Sequence, residues 1–266
     1  MSRMLPPLAS SIRIPRPPLT VMGHLRLGPI RRALRMIKPR SILEIGAGEG
    51  AAGMILAQHA LYIGIEPDKR SASTAVKRLA LFEHAEIRIG GIECLQEDEI
   101  FDMVCAFEVI EHLEDDVGVV QTWVEHLHEN GHLLISTPAH SRRFNVSDAA
   151  VGHFRRYDAS DLDQLIEDAG LEIVCRISYG AFGGHFLEMC RNQVVKRYKN
   201  YSRSGMSTEE RTASSGRLFQ PKTRLAGCLA HLGSIPFRLL QRPFFNSEFG
   251  VGWVVIARKT QHLRAH

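Results

Sequence analysis

From position 41 onward, short apolar runs alternate with segments in which apolar residues recur every third or fourth position. The runs at 41–45, 61–66, 86–90, 101–107, 132–137, 171–177 and 251–257 predict seven strands. The intervening segments at 51–59, 68–82, 116–129 and 158–169 predict helices. Asp68 is placed to cap the second of these and the pair Asn130-Gly131 to close the third, while Gly170 stops the fourth. Upstream, Leu27, Ile30, Leu34 and Ile37 have helical spacing that ends at Pro39. Strands alternating with helices predict an α/β fold, a Rossmann-like and mostly parallel sheet with helices on both faces.

The pattern divides the chain into a Pro-rich arm over 1–24, an α/β domain over 25–180 and 250–260, and a helical insertion over 181–249. Within the insertion, 193–201 and 223–245 read as helices, with Pro236 interrupting the second, and 202–220 reads as polar and mobile.

Charge and cysteines add to this picture. The net charge of the 266 residues is only +4, but nine of the 33 Lys and Arg precede the first acid, Glu44. Such a basic start is either a solvated arm or attracted to phosphates. It lacks the apolar stretch of a secretory signal. Residues 185–247 hold eleven Lys and Arg against three Glu. Leu, Ile and Phe mixed with Arg224, Arg238 and Arg242 suit a lid over a site or a helix lying on a membrane surface. No apolar run reaches the roughly eighteen residues a spanning helix needs. The five cysteines form no CxxC pair, which suits free thiols in a reducing compartment. A cytoplasmic protein is expected, or one peripheral to the inner face of a membrane.

The most informative segment is Leu43-Glu44-Ile45-Gly46-Ala47-Gly48-Glu49-Gly50, a buried strand running into a glycine turn before a helix. Glycine lets the backbone turn tightly and lets a ligand approach without a Cβ in the way. Glu66 closes the next strand twenty residues after Gly46, where a carboxylate can accept both hydroxyls of a ribose. An adenosine-bearing cofactor follows. Gly46-x-Gly48-x-x-Ala51 also satisfies the dinucleotide fingerprint, so a nicotinamide cofactor stays open at this point.

Four ordered segments then carry a resemblance. They are Leu43–Gly50, Glu66-Pro67-Asp68, the stretch from Phe101 to Leu113, and Gly131–Pro138, followed by Gly152-His153-Phe154-Arg155-Arg156-Tyr157. Together they resemble class I S-adenosylmethionine-dependent methyltransferases over about residues 30–180. The subgroup includes ubiquinone-pathway O-methyltransferases and bacterial enzymes acting on small molecules or envelope glycans. The resemblance implies a seven-stranded sheet whose last strand is antiparallel and lies beside the sixth, and S-adenosylmethionine as cofactor. It implies that Glu44, Gly46, Ala47 and Gly48 lie against the methionine moiety and that Glu66, with Pro67, holds the ribose. Phe107 and Glu108 would face the sulfonium. Where many relatives carry an acid near the adenine, this chain has Gly90-Gly91-Ile92, so a backbone amide of Gly91 or Ile92 would serve.

Glu108, Glu111 and His112 stand at i, i+3 and i+4 and would share a face on one helical turn. By the resemblance His153 returns to the same region. Two carboxylates and two imidazoles suit a divalent ion such as Zn, Mn or Mg, as in the related small-RNA 2′-O-methyltransferases. Alternatively, Glu111 pairs locally and His112 is a satisfied core histidine. Without a metal, His153 or His112 is the candidate general base.

The function expected from these features is O-methylation of a small-molecule, lipid-linked or glycan acceptor, with peripheral membrane contact as a further expectation. A small-RNA 2′-O-methyltransferase-like enzyme is the alternative. Nucleic acid is the less favoured partner, because Arg155-Arg156-Tyr157 replaces the Glu-Trp pair that follows the histidine in that group. A nicotinamide-dependent oxidoreductase and a non-catalytic cofactor-binding module complete the set.

Overall fold

The structure is a computed structural model and describes residues 17–198 and 223–260. Helix α1 (Val21–Ile37) leads into β1 (Ser41–Ile45), α2 (Gly53–Leu56), β2 (Leu61–Glu66), α3 (Lys69–Leu79), β3 (Ala85–Ile89) and β4 (Phe101–Phe107). Then come α4 (Asp116–Glu125), β5 (Leu127–Pro138), α5 (Val146–Val151), α6 (Ala159–Asp168) and β6 (Leu171–Tyr179). Helix α7 (Gly183–Tyr198), a second insertion helix α8 (Arg224–Leu240), and β7 (Gly252–Lys259) complete the described elements. The strand order is β3-β2-β1-β4-β5-β7-β6, with β7 antiparallel to both neighbours. All seven expected strands form, and the last lies beside the sixth as the resemblance implied.

Neighbouring residues of the central strands point to opposite faces, and both faces are covered, which is why these strands are apolar throughout. Leu43, Val104, Leu133 and Val255 enter one core with Trp123 of α4 and Leu165 of α6. Ile42, Cys105, Leu134 and Val254 enter the other with Leu25 and Leu34 of α1, Leu56 of α2 and Leu79 of α3. At about 25 cal/mol per Å² of apolar area, these two layers are the main favourable contribution to folding.

Several predicted boundaries shift. The first helix starts at Val21, capped by the Thr20 side chain, so the residues from 21 to 24 assigned to the arm are its first turn. The rest of that arm up to 16 lies outside the described residues. Asp68 caps α3 as expected, accepting from the Ser71 amide at 2.9 Å. Asn130-Gly131 does not close a helix: α4 ends at Glu125, and β5 begins at Leu127. Asn130 has φ 63° within the strand, and the pairing of β4 with β5 slips between Phe101 and Met103, so the pair marks a strand irregularity instead. Pro236 lies inside a continuous α8. It is exposed, so water can serve the carbonyl that proline leaves unpaired. The predicted mobile segment at 202–220 lies outside the described residues.

Candidate functional site

The carboxyl ends of β1, β2, β4 and β5 converge on one edge of the sheet, the usual place for a ligand in such folds. After β1 the backbone takes positive φ at Gly46 (69°), Gly48 (56°) and Gly50 (77°). A Cβ on Gly46 would strike Val109 Cγ2 at 2.8 Å, whereas one on Gly48 would meet nothing within 4 Å. Gly46 is thus needed for packing, and Gly48 opens onto space in which a ligand can lie. Glu66, at the end of β2, ties the turn down: its carboxylate accepts from the amides of Gly48 (2.8 Å) and Asp68 (2.9 Å). Its carboxylate thus stands at the turn, where the resemblance places a ribose. Pro67 is exposed beside it. Glu44 is buried and accepts from the Tyr62 hydroxyl. Burial pushes its carboxyl up to about 8, against the pull of Tyr62 and Arg26. Gly91 caps a 3-10 turn over Ile92–Cys94, but its amide donates to Glu93 Oε1 at 2.7 Å. Ala47 is buried under the turn.

At the end of β4 the predicted helical turn does not form. Glu108 has φ 60°, and a short 3-10 turn covers only Ile110–His112. This separates Glu108 from its expected partners. Its Oε1 lies 2.7 Å from Arg26 Nη1 and accepts from Ser136 Oγ and the Tyr179 hydroxyl, each at 3.0 Å. Burial works against ionisation, but Arg26 and the two hydroxyls outweigh it and hold the carboxyl below its ordinary range. The Arg26 guanidinium also lies over the Phe107 ring, 5.7 Å from its centre. Phe107 packs into the α1 core.

The other three residues of the expected metal set do meet. Ligand atoms of Glu111, His112 and His153 lie within 4.8 Å of one another. Glu111 is fully buried; Thr137 Oγ1 donates to its Oε2 at 3.1 Å. Its Oε1 has no hydrogen-bond partner among the described residues, and His153 Nε2 stands 3.9 Å away. Burial and the nearby Glu108 drive the Glu111 carboxyl well above the ordinary range. His112 Nδ1 lies 3.2 Å from the Gly152 carbonyl, and burial and His153 lower its pKa to about 4, so the ring is neutral at pH 7. The two imidazoles meet edge to face at 4.6 Å. An orphaned buried oxygen with two imidazoles is a donor set that fits a divalent ion.

The segment carrying His153 is held by alternate side chains. Arg155 Nη1 and the Tyr157 hydroxyl both donate to Asp116 Oδ2, at 2.9 and 2.6 Å. Arg156 points the other way and donates to both oxygens of Asp148 at 2.9 Å and to Glu188 Oε1 at 2.6 Å. Asp148 also lies 3.3 Å from His153 Nδ1, angled off a straight hydrogen bond.

The glycine turn, Glu44 and Glu66 are therefore assembled at one edge, and Glu111, His112 and His153 are brought together. Glu108 leaves that second cluster for Arg26. Sequence reasoning missed Arg26, Tyr179 and Asp148. Arg26 looked like one more charge in a basic segment, and the only available signal was its place on the apolar helix that opens the domain.

The profile of the methyltransferase domain family matches residues 23–176. A probable S-adenosylmethionine-dependent methyltransferase of Mycolicibacterium smegmatis is 33% identical over 138 residues, 50% of this chain and 52% of that protein. A ubiquinone biosynthesis O-methyltransferase of Rickettsia typhi is 28% identical over 125 residues, 44% of this chain and 50% of that one. The chain thus spans about half the length of these curated relatives. The fold matches a putative sarcosine dimethylglycine methyltransferase from Galdieria sulphuraria with a TM-score of 0.55 at 13% identity, covering 88% of this chain and 84% of that one. With the antiparallel β7 between β5 and β6, where a dinucleotide-binding sheet continues in parallel, these matches set the oxidoreductase reading aside. The chain belongs to the methyltransferase domain family, of the class I S-adenosylmethionine-dependent type.

Proposed function

We propose that the protein methylates a hydroxyl oxygen of a small-molecule, lipid-linked or glycan acceptor. The observation that carries this reading is the open space over Gly48 beside Glu66, at the same sheet edge as Glu111, His112 and His153. S-Adenosylmethionine held against the glycine turn supplies a methyl group already activated by its sulfonium. Glu66 would grip the ribose, Glu44 would lie under the methionine end, and the Ile92 amide would border the adenine, since the Gly91 amide is engaged by Glu93.

The remaining work of the protein is alignment and proton removal. Transfer would join the acceptor oxygen to the methyl carbon as the carbon–sulfur bond breaks, with its electron pair returning to sulfur. The hydroxyl proton passes to His153 Nε2, whose other nitrogen faces Asp148. His112, neutral at pH 7, is the second candidate base. Glu108 is a poor base here, because Arg26 and two hydroxyls engage its Oε1 and lower its proton affinity. The base role holds for the metal-free site; a divalent ion held by Glu111, His112 and His153 would occupy those nitrogens and instead supply Lewis acidity that lowers the hydroxyl's pKa.

Calorimetry with S-adenosylhomocysteine and NAD tests the first half: binding of the former and not of NAD is expected. Transfer of labelled methyl from S-adenosylmethionine to a lipid extract, a small-molecule extract or small RNA tests the second. Label appearing only in RNA would move the assignment to the 2′-O alternative, which the Glu111-His112-His153 cluster also suits. Absence of affinity for S-adenosylhomocysteine would overturn both.

A further inference from the structure

Surface helices normally bury their apolar face and expose their polar one. Helix α8 does the reverse. Among the described residues, those it buries are Ser234 (0%) and, just past its end, Gln241 (1%). Gln241 fastens it by donating to the Leu25 carbonyl at 2.9 Å and accepting from the Gly180 amide at 2.8 Å. His231, on the same side, packs edge-on against His24 of α1 at 5.0 Å. The opposite side is a stripe of leucines at helical spacing: Leu225 (71% exposed), Leu229 (60%), Leu232 (58%), Leu239 (54%) and Leu240 (57%). Contiguous exposed apolar area of this kind marks a docking surface.

One flank of the stripe is strongly basic. Arg31, Arg32 and Arg35 of α1 and Arg238 and Arg242 at the end of α8 line a cleft of about 490 Å³ that also includes Leu239. Neither helix contains an Asp or Glu. None of the five arginines has a carboxylate partner among the described residues. Desolvation and the charges of Arg238 and Arg35 lower the Arg31 pKa, the mark of cations crowded without a counter-ion. No described helix is long and apolar enough to cross a membrane. Leucines beside arginines that lack counter-ions match the two layers of an interfacial helix, apolar residues among acyl chains and guanidiniums at phosphates.

We propose that the outer face of α8, with the arginine cleft between α1 and α8, docks on an anionic lipid bilayer. The face shares α1 with the candidate active site, since Arg26 on the inner side of that helix pairs with Glu108. Docking would therefore set the methyltransferase site beside the membrane surface.

The test is co-sedimentation of the full chain with phosphatidylcholine vesicles, with and without phosphatidylglycerol. The expected result is selective binding to the anionic vesicles that weakens as salt rises. Arg35→Ala with Arg238→Ala should lower that affinity about 25-fold, roughly fivefold per arginine. Leu229→Asn with Leu232→Asn should abolish it at high salt. Both variants should keep the wild-type melting temperature and S-adenosylhomocysteine affinity, which separates this proposal from the fate of the catalytic one. Four outcomes overturn it. One is equal or absent partition to the two vesicle types. A second is self-association that the leucine variant reverses, which assigns the face to a second copy. A third is binding of soluble glycerophosphate as tight as binding of vesicles, which assigns the cleft to a free anion. The last is a lowered melting temperature in the leucine variant, which means the chain covers the stripe itself.

Discussion

His153 Nδ1 faces Asp148 Oδ1 at 3.3 Å, and the same carboxylate is clamped by the buried guanidinium of Arg156. One acid thus serves both the fold and the candidate base, and substitutions should separate the two roles. His153→Ala should lower methyl transfer by about 10²- to 10⁴-fold while leaving S-adenosylhomocysteine affinity and stability near wild type. Asp148→Ala leaves the buried Arg156 with Glu188 as its one carboxylate partner among the described residues and should cost about 3–5 kcal/mol of stability in urea denaturation. An unchanged turnover in His153→Ala would remove it from the chemistry.

Glu44 makes the protein sensitive to pH. Its folded carboxyl sits at about 8, above the ordinary 4.5. Below the ordinary value both folded and unfolded chains are protonated there, so its contribution is fully present. Between about 4.5 and 8 the folded chain keeps a proton that the unfolded chain has lost, so stability falls as pH rises. The loss should be on the order of 4 kcal/mol by the upper end of that window. Glu44→Gln should flatten the curve of denaturation midpoint against pH.

The same residue should couple ligand binding to a proton. An amino-acid ammonium placed beside Glu44 favours its carboxylate. S-Adenosylhomocysteine should therefore bind more tightly as pH rises toward 8. Calorimetry near neutral pH in buffers of different ionisation enthalpy should show a released proton that disappears in Glu44→Gln. Binding with no proton exchange in the wild type would place the methionine end elsewhere.

Gly46 and Gly48 should respond differently to alanine. Both have positive φ, which costs a non-glycine residue about 1–2 kcal/mol. Gly46→Ala adds a clash with Val109 and should lose about 3 kcal/mol of stability in total. Gly48→Ala meets no protein atom, so its main effect should be a fall in S-adenosylhomocysteine affinity of about tenfold or more. Equal loss of affinity and stability in both would contradict the open cradle.

Equilibrium dialysis against Zn or Mn tests the second cluster. Stoichiometric uptake by the wild type is expected, with about 10- to 100-fold weaker binding in His153→Ala and Glu111→Gln. Glu108→Gln should bind the ion as the wild type does, because Arg26 occupies that carboxylate. Retained uptake in all three variants would place the ion elsewhere.

What the sequence by itself determined were features set by local periodicity and local chemistry. The seven apolar runs, the glycine turn after 41–45 and the acid closing the next strand are each encoded within a few neighbouring residues, so their spacing could be read directly. The Asp68 cap was legible for the same reason, a short polar side chain three residues before the amide it accepts from. Where two local signals competed, reading failed: Asn130-Gly131 suits a helix end and a strand irregularity equally, and the pairing of β5 with β4 decided between them.

Only the tertiary structure decided which charges meet. Arg26 and Glu108 are far apart in sequence but 2.7 Å apart in space, because α1 packs across the sheet above Phe107. That pairing, with the positive φ at Glu108, removed it from the Glu111-His112-His153 cluster. The inversion of α8 is likewise invisible to periodicity, which finds an apolar stripe but not the side on which it lies. A stripe's direction depends on what packs behind the helix, and here Gln241 and Ser234 are turned inward while the leucines are left outside.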